Sequence, residues 1–241
     1  MKIYGYKKFL SIVLAAIANF GVFAQGSVAA TPYLNDVKML LETPWPHNRT
    51  VNIVFHGHSV PCGYFVTPTV HTLESYPYRT LTYVKSRYSR AVVNVITTSI
   101  GGENAESGAR RFKSEVLCHC PDILFIDYAL NDRNIGLDRA MKAWEKMVKI
   151  ARKCSVKVVL MTPTPDLEEN ILSEDAPLAK HRLRIMKLAA EYGLAVVDSY
   201  GAFQKLVVEG ADLRDYMAQN NHPNEKGHSV VAELIESLFE N

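Results

Sequence analysis

The chain has 241 residues and a formal charge of +2, and three of its lysines fall in the first eight positions, so the remainder is close to −1 with histidine neutral. That balance supplies no basic footprint for nucleic acid or for an acidic membrane surface. Four cysteines are too few for a disulfide scaffold, and the length beyond the first thirty residues suits one domain with a well-buried core.

In chain order, Lys2, Lys7 and Lys8 precede an apolar run over residues 9–23, and small residues follow at Ala24 and over 27–30. This is the order of a secretory signal peptide at residues 1–24, with cleavage after Ala24 or as late as residue 30. The run is short for a retained membrane anchor, and no cysteine stands near either cleavage site to carry a lipid. A soluble protein, secreted or periplasmic, is expected. Residues 31–50, with Pro32, Pro44 and Pro46, read as an irregular lead-in holding one or two helical turns.

Five β-rich apolar runs follow, at residues 51–55, 91–96, 123–128, 156–161 and 194–197. Their near-continuous apolar character suits strands covered on both faces. Helical patterns lie between them at 72–88, 105–117, 137–153 and 177–192, and a last one closes the chain at 224–239. Strands alternating with helices predict an α/β fold: a flavodoxin-like, three-layer α/β/α sandwich around a five-stranded parallel sheet with right-handed crossovers. The sequence has no internal repeat and no low-complexity stretch.

Ligands in open α/β sheets sit beyond the carboxyl ends of the strands, so polar residues there carry information. The first strand is followed by His56-Gly57-His58-Ser59, the second by Thr98-Ser99-Ile100-Gly101-Gly102-Glu103-Asn104, and the third by Ala129-Leu130-Asn131-Asp132-Arg133-Asn134. A fourth cluster, Asn220-Asn221-His222-Pro223-Asn224, opens the closing helix and can fold back to the same rim. A serine on a tight turn past a strand presents its hydroxyl to solvent, but it needs a base because a free hydroxyl is a weak nucleophile. His222, in a loop beside a proline suited to a helix start, is the candidate base. Acyl transfer also needs donors aimed at the oxyanion, and Gly102 and Asn131 fit that part.

These four clusters, in this order, resemble the four blocks of the SGNH, or GDSL-type, esterase and lipase superfamily. Gly57-His58-Ser59 stands where the family has Gly-Asp-Ser. The segment from Ser99 to Asn104 resembles its glycine block, Ala129-Leu130-Asn131-Asp132 its Gly-x-Asn-Asp block, and His222-Pro223-Asn224 with Gly227-His228 its closing segment. The resemblance implies a hydrolase domain over residues 51–241 with Ser59 as nucleophile and His222 as base. The oxyanion hole would be built from the Ser59 amide, Gly102 and Asn131. It implies no cofactor.

Two departures stand out. His58 replaces the aspartate before the nucleophile, and Gln219 occupies the position of the acid three residues before the histidine. A neutral amide cannot stabilise an imidazolium as a carboxylate does, although it can accept a bond from the ring. The ring of His222 is therefore oriented by a neutral acceptor such as Gln219, or by another carboxylate, Asp132 or Glu103.

For substrate, the resemblance implies an ester, most simply an acetyl ester on carbohydrate, with lipid or thioester acyl chains as the alternative. Asn104, Arg133 and Asn134, with Tyr64 as a stacking platform, suit a sugar. Two other chemistries fit parts of the pattern. His56, His58, Asp132 and His222 read as ligands of a metal-dependent phosphoesterase, although the Asp-rich segments of a two-metal site are missing. The missing acid reads as the mark of a non-catalytic carbohydrate-binding relative. Finally, Cys118 and Cys120 lead into the third strand and Cys154 into the fourth, so a Cys120–Cys154 disulfide is expected at the pole opposite the site.

Overall fold

The computed structural model describes residues 33–240; the expected signal peptide lies outside the described residues. Helix α1 (Asn35–Glu42) is the two-turn element expected in the lead-in. Strand β1 (Thr50–Gly57) then enters the middle of the fold, and a single helical turn, α2 (Ser59–Cys62), follows it directly. The alternation continues through α3 (Tyr76–Arg87), β2 (Val92–Thr97), α4 (Ala105–Glu115), β3 (Ile123–Asp127) and the short α5 (Ala129–Asp132). It is completed by α6 (Leu137–Lys153), β4 (Lys157–Met161), α7 (Pro177–Tyr192) and β5 (Ala195–Val197). The strands form one parallel sheet in the order β2-β1-β3-β4-β5. This is the doubly wound order whose switch point lies between β1 and β3.

Alternation along the strands divides the core into two layers. Ile53 and Phe55 of β1, Ile123 and Phe125 of β3, and Val159 and Met161 of β4 face a layer that includes Tyr76, Tyr200, Phe203, Val231 and Ile235. Val54, Leu124, Ile126, Val158 and Leu160 face the opposite layer with Phe112, Trp144, Met147 and Ile185. Both faces of the central strands are thus buried, which is why they read as continuous apolar runs.

Besides the single turns α2 and α5, a helix and a hairpin were not expected from the sequence. Helix α8 (Ser199–Val208) is started by Asp198, whose carboxylate accepts from the Gly201 N–H at 3.2 Å. A small antiparallel hairpin, β6 (Met217–Gln219) and β7 (His222–Pro223), replaces the plain loop expected before the closing helix α9 (Glu225–Glu236). Among the described residues no helix is long and apolar enough to cross a membrane.

The expected Cys120–Cys154 bridge is not formed: Cys62, Cys118, Cys120 and Cys154 are all free. Extending the β3–β4 register back by three residues would set Cys120 opposite Cys154, but pairing begins only at Ile123 and Lys157. Both segments leave the ladder through left-handed residues, Cys120 at φ 46° and Ser155 at φ 59°.

Candidate active site

The turn that carries Ser59, the expected nucleophile, is set by close packing. A Cβ on Gly57 would stand 2.3 Å from the Asp127 carbonyl oxygen, so only glycine lets β1 run past the end of β3 before the chain turns into α2. Ser59 is the first residue of that turn, and its N–H, like any helix-start donor, has no intrahelical acceptor. The Tyr64 N–H bonds back to the Ser59 carbonyl at 3.2 Å, starting a loop that returns at His71, whose N–H donates to the Gly63 carbonyl at 2.7 Å.

The β6–β7 hairpin carries His222 to the serine. Ser59 Oγ and His222 Nε2 are 2.8 Å apart, although 163 positions separate them in the chain. The other ring nitrogen, Nδ1, lies 3.0 Å from the carbonyl oxygen of Phe65. A carbonyl only accepts, so Nδ1 carries the hydrogen, and Nε2 is left free to accept the serine proton. Burial holds the His222 pKa below the ordinary histidine value, with the Phe65 carbonyl pulling it up and His58 pushing it down. The ring is therefore a neutral base near pH 7.

None of the three expected orienting groups touches this ring. Gln219 Oε1 accepts from the Thr67 N–H at 3.0 Å, and its Nε2 donates to Asn221 Oδ1 at 3.2 Å. Asp132 is buried and accepts from the Ala105 N–H and the Trp144 indole, each at 2.7 Å. Its pKa is pushed up to about 6 by burial, against the pull of those two donors. Glu103 pairs with Arg111 and accepts from the Tyr128 hydroxyl at 2.8 Å. The neutral acceptor is thus the main chain at Phe65, which no residue type announces.

The expected oxyanion donors form one unit. The Glu103 N–H closes a turn onto the Ile100 carbonyl at 3.2 Å, with Gly102 at φ +77° as a type II turn requires at its third position. The Ile100 N–H ties this turn to the Gly57 carbonyl at 3.0 Å, beside the nucleophile. Asn131 donates one amide hydrogen to the Glu103 carbonyl at 3.0 Å, which leaves its second hydrogen for a ligand.

The expected substrate groups divide. Tyr64 lies at the site: its ring is 3.4 Å from where a Gly101 Cβ would sit and 6.0 Å, centre to centre, from His222. Asn104 instead caps α4 through the Ser107 N–H, and Arg133 is engaged by Asp166 and Glu169. Asn134 is exposed beyond α5. The metal-ligand set does not converge. His56 is hydrogen-bonded to Thr98 and Tyr128, with its pKa lowered to about 4, first by burial and then by Arg111. His58 accepts from the Val60 N–H, and among the described residues no three His, Cys, Asp or Glu side chains gather as metal ligands would.

The sequence model of the GDSL-like lipase/acylhydrolase family matches residues 55–230. Among solved structures, a two-domain esterase active on acetylated mannans superposes with a TM-score of 0.72 at 22% identity, over 86% of this chain and 52% of that one. The chain thus spans about half the length of that protein. The acetylxylan esterase of Geobacillus stearothermophilus superposes at 0.69 with 19% identity, over 79% of this chain and 94% of that one. Catalytic mutants of that enzyme replace a serine, an aspartate and a histidine, the last two standing three positions apart as Gln219 and His222 do here. No curated protein sequence matches the chain.

Proposed function

The chain belongs to the GDSL-like lipase/acylhydrolase family, and on that premise we propose that it is a serine esterase that removes acetyl groups from carbohydrate through Ser59 and His222. The 2.8 Å contact between Ser59 Oγ and His222 Nε2 carries the reading. Ser59 Oγ attacks the acetyl carbonyl carbon while its proton passes to Nε2. The negative charge that develops on the carbonyl oxygen meets the N–H groups of Ser59 and Gly102 and the free amide hydrogen of Asn131. The imidazolium then protonates the departing sugar oxygen and leaves an acetyl group on Ser59. In the second half, His222 takes a proton from water, whose oxygen attacks the acetyl carbon, and returns it to Ser59 Oγ as the acyl bond breaks and acetic acid, ionised to acetate in water, is released.

Through both halves the Phe65 carbonyl keeps the ring in one tautomer. It stabilises the imidazolium by its dipole alone, a smaller effect than a carboxylate charge provides. The carbohydrate part of the reading draws on two structural neighbours whose substrates are acetylated mannans and acetylxylan, and on Tyr64 beside the base as a face for a sugar ring. The lysine-led apolar leader fits an enzyme that meets such substrates outside the cytoplasm.

The test is Ser59→Ala with turnover read on acetylated oligosaccharides and on a series of acyl esters. Turnover should fall by several powers of ten with nearly unchanged thermal stability, since only a small hydroxyl is removed. Retention of more than about a tenth of the activity would remove Ser59 from this role. Preference for long acyl chains over acetyl would move the substrate to lipid.

A further inference from the structure

We propose that Gln219, although it stands in the position of the family's acid, is a positioning residue that acts on His222 through the 63–71 loop. This rests on His222 being the base of the proposed reaction.

The Phe65 carbonyl orients the ring only if its loop stays in place, and most of that loop is poorly anchored. Residues 66–70 are all exposed, with Val66 at 56% and Val70 at 44%. Within the loop the main chain holds itself together: a bridge pairs Tyr64 with Val70, the Phe65 N–H donates to the Thr69 carbonyl at 3.2 Å, and the Thr69 N–H donates to Val66 at 2.7 Å. These bonds fix the loop's shape but not its position over the hairpin. The base of the loop is placed by the Phe65 ring, stacked on His71 at 4.3 Å and on His228 at 5.3 Å. At the exposed tip, Gln219 Oε1 accepts from the Thr67 N–H at 3.0 Å.

That bond joins the loop carrying the acceptor to the strand leading into the base. Gln219 ends β6 and His222 begins β7, so the hairpin and the loop are tied at two points, Thr67 to Gln219 and Phe65 to His222, two positions apart on the loop and three on the hairpin. Gln219 suits this better than an acid because it both accepts and donates: its Nε2 holds Asn221 Oδ1 across the hairpin turn at 3.2 Å. An aspartate there would be one carbon shorter and, ionised, could not make the second bond. The loss of the acid and the presence of the loop acceptor are thus two parts of one arrangement.

The experiment compares Gln219→Ala and Gln219→Glu with the wild type by kinetics on an acetyl ester and by nitrogen-resolved NMR of the His222 ring. Glutamate keeps the acceptor for Thr67. Gln219→Ala is expected to lower kcat roughly 3- to 10-fold, the change one net hydrogen bond supports. KM should stay within about twofold, because no substrate contact is removed. The His222 Nδ1–H signal of the single tautomer should weaken or broaden in Gln219→Ala and persist in Gln219→Glu, which keeps the Thr67 bond but loses the one to Asn221, so that its kcat should fall less than that of Gln219→Ala. Wild-type kcat with an unchanged Nδ1–H signal in Gln219→Ala would overturn the proposal, as would an equal loss in both variants. The NMR readout does not need turnover: if Ser59→Ala leaves the esterase activity intact, the proposed reaction fails while the ring signal still decides the role of Gln219.

Discussion

At two places where the resemblance implies an aspartate this chain carries another residue, His58 and Gln219, and the structure treats them differently. At the nucleophile turn, His58 is fully buried, and its Nε2 faces Asp127 Oδ1 at 3.4 Å, with no closer partner for either atom. Asp127 ends β3, and its other oxygen accepts from the buried Tyr76 hydroxyl at 2.8 Å. A carboxylate is therefore still present beside the nucleophile turn, but it comes from the neighbouring strand. At the histidine hairpin no carboxylate of the described residues bonds the ring; a main-chain carbonyl does, on a loop with an exposed tip. In a packed interior an exchanged charge must be matched by a neighbour, because an unpaired buried group is costly. At a rim, a backbone group of a loop can be brought up instead.

The comparison can be sharpened by variants, beginning with the largest effect. His222→Ala removes the base and should lower turnover on the order of 10⁴-fold or more with the fold retained; a fall under tenfold in steady-state kinetics would mean that another group takes the serine proton. Asn131→Ala comes next, with a loss of roughly 10² to 10³ in kcat and little change in KM, as for a donor used mainly in the transition state. An effect confined to KM would make Asn131 a ground-state contact.

His58→Asp probes the buried half of the comparison. It restores the family residue but sets two carboxylates against each other in the core, and should cost about 3 kcal/mol in denaturant unfolding. Adding Asp127→Asn should recover most of that loss. Equal stability of His58→Asp and wild type would show that the facing pair is not coupled.

The pH dependence is the smallest and most specific effect. Since burial lowers the His222 pKa, the base stays unprotonated through the range where an ordinary histidine, with a pKa of about 6.5, takes up its proton. The acid limb of kcat/KM should therefore lie below that value, with activity lost only as pH falls through the depressed pKa. A limb above about 7 would place the ring in a more solvated or carboxylate-paired setting than its contacts here indicate.

Much of this was legible in the sequence for identifiable reasons. Central strands buried on both faces announce themselves as apolar runs, and α6 and α7 begin and end where their patterns do. Ser59, His222, Gly102 and Asn131 were singled out because polar residues and glycines at strand ends leave a residue-type signature, and the structure brings Ser59 Oγ and His222 Nε2 to 2.8 Å. Helix α8 was missed because Gly201 and the pair Val207–Val208 weaken its pattern, leaving only the cap at Asp198 as a signal. The acceptor at Phe65 was invisible because a carbonyl oxygen belongs to every residue. Asn104 and Arg133 misled for a related reason: a polar side chain at a rim serves a helix cap or an ion pair as readily as a ligand.

The measurement that reaches the centre of this account is the turnover of one acetyl ester by carboxylate-to-amide variants around the site, Glu103→Gln, Asp127→Asn and Asp132→Asn, each normalised to folded protein. With the ring oriented by the Phe65 carbonyl, none should approach the roughly 10⁴-fold loss that neutralising a triad carboxylate produces. A four-decade fall in any one of them, with the fold intact, would identify the acid and contradict a base oriented by the main chain.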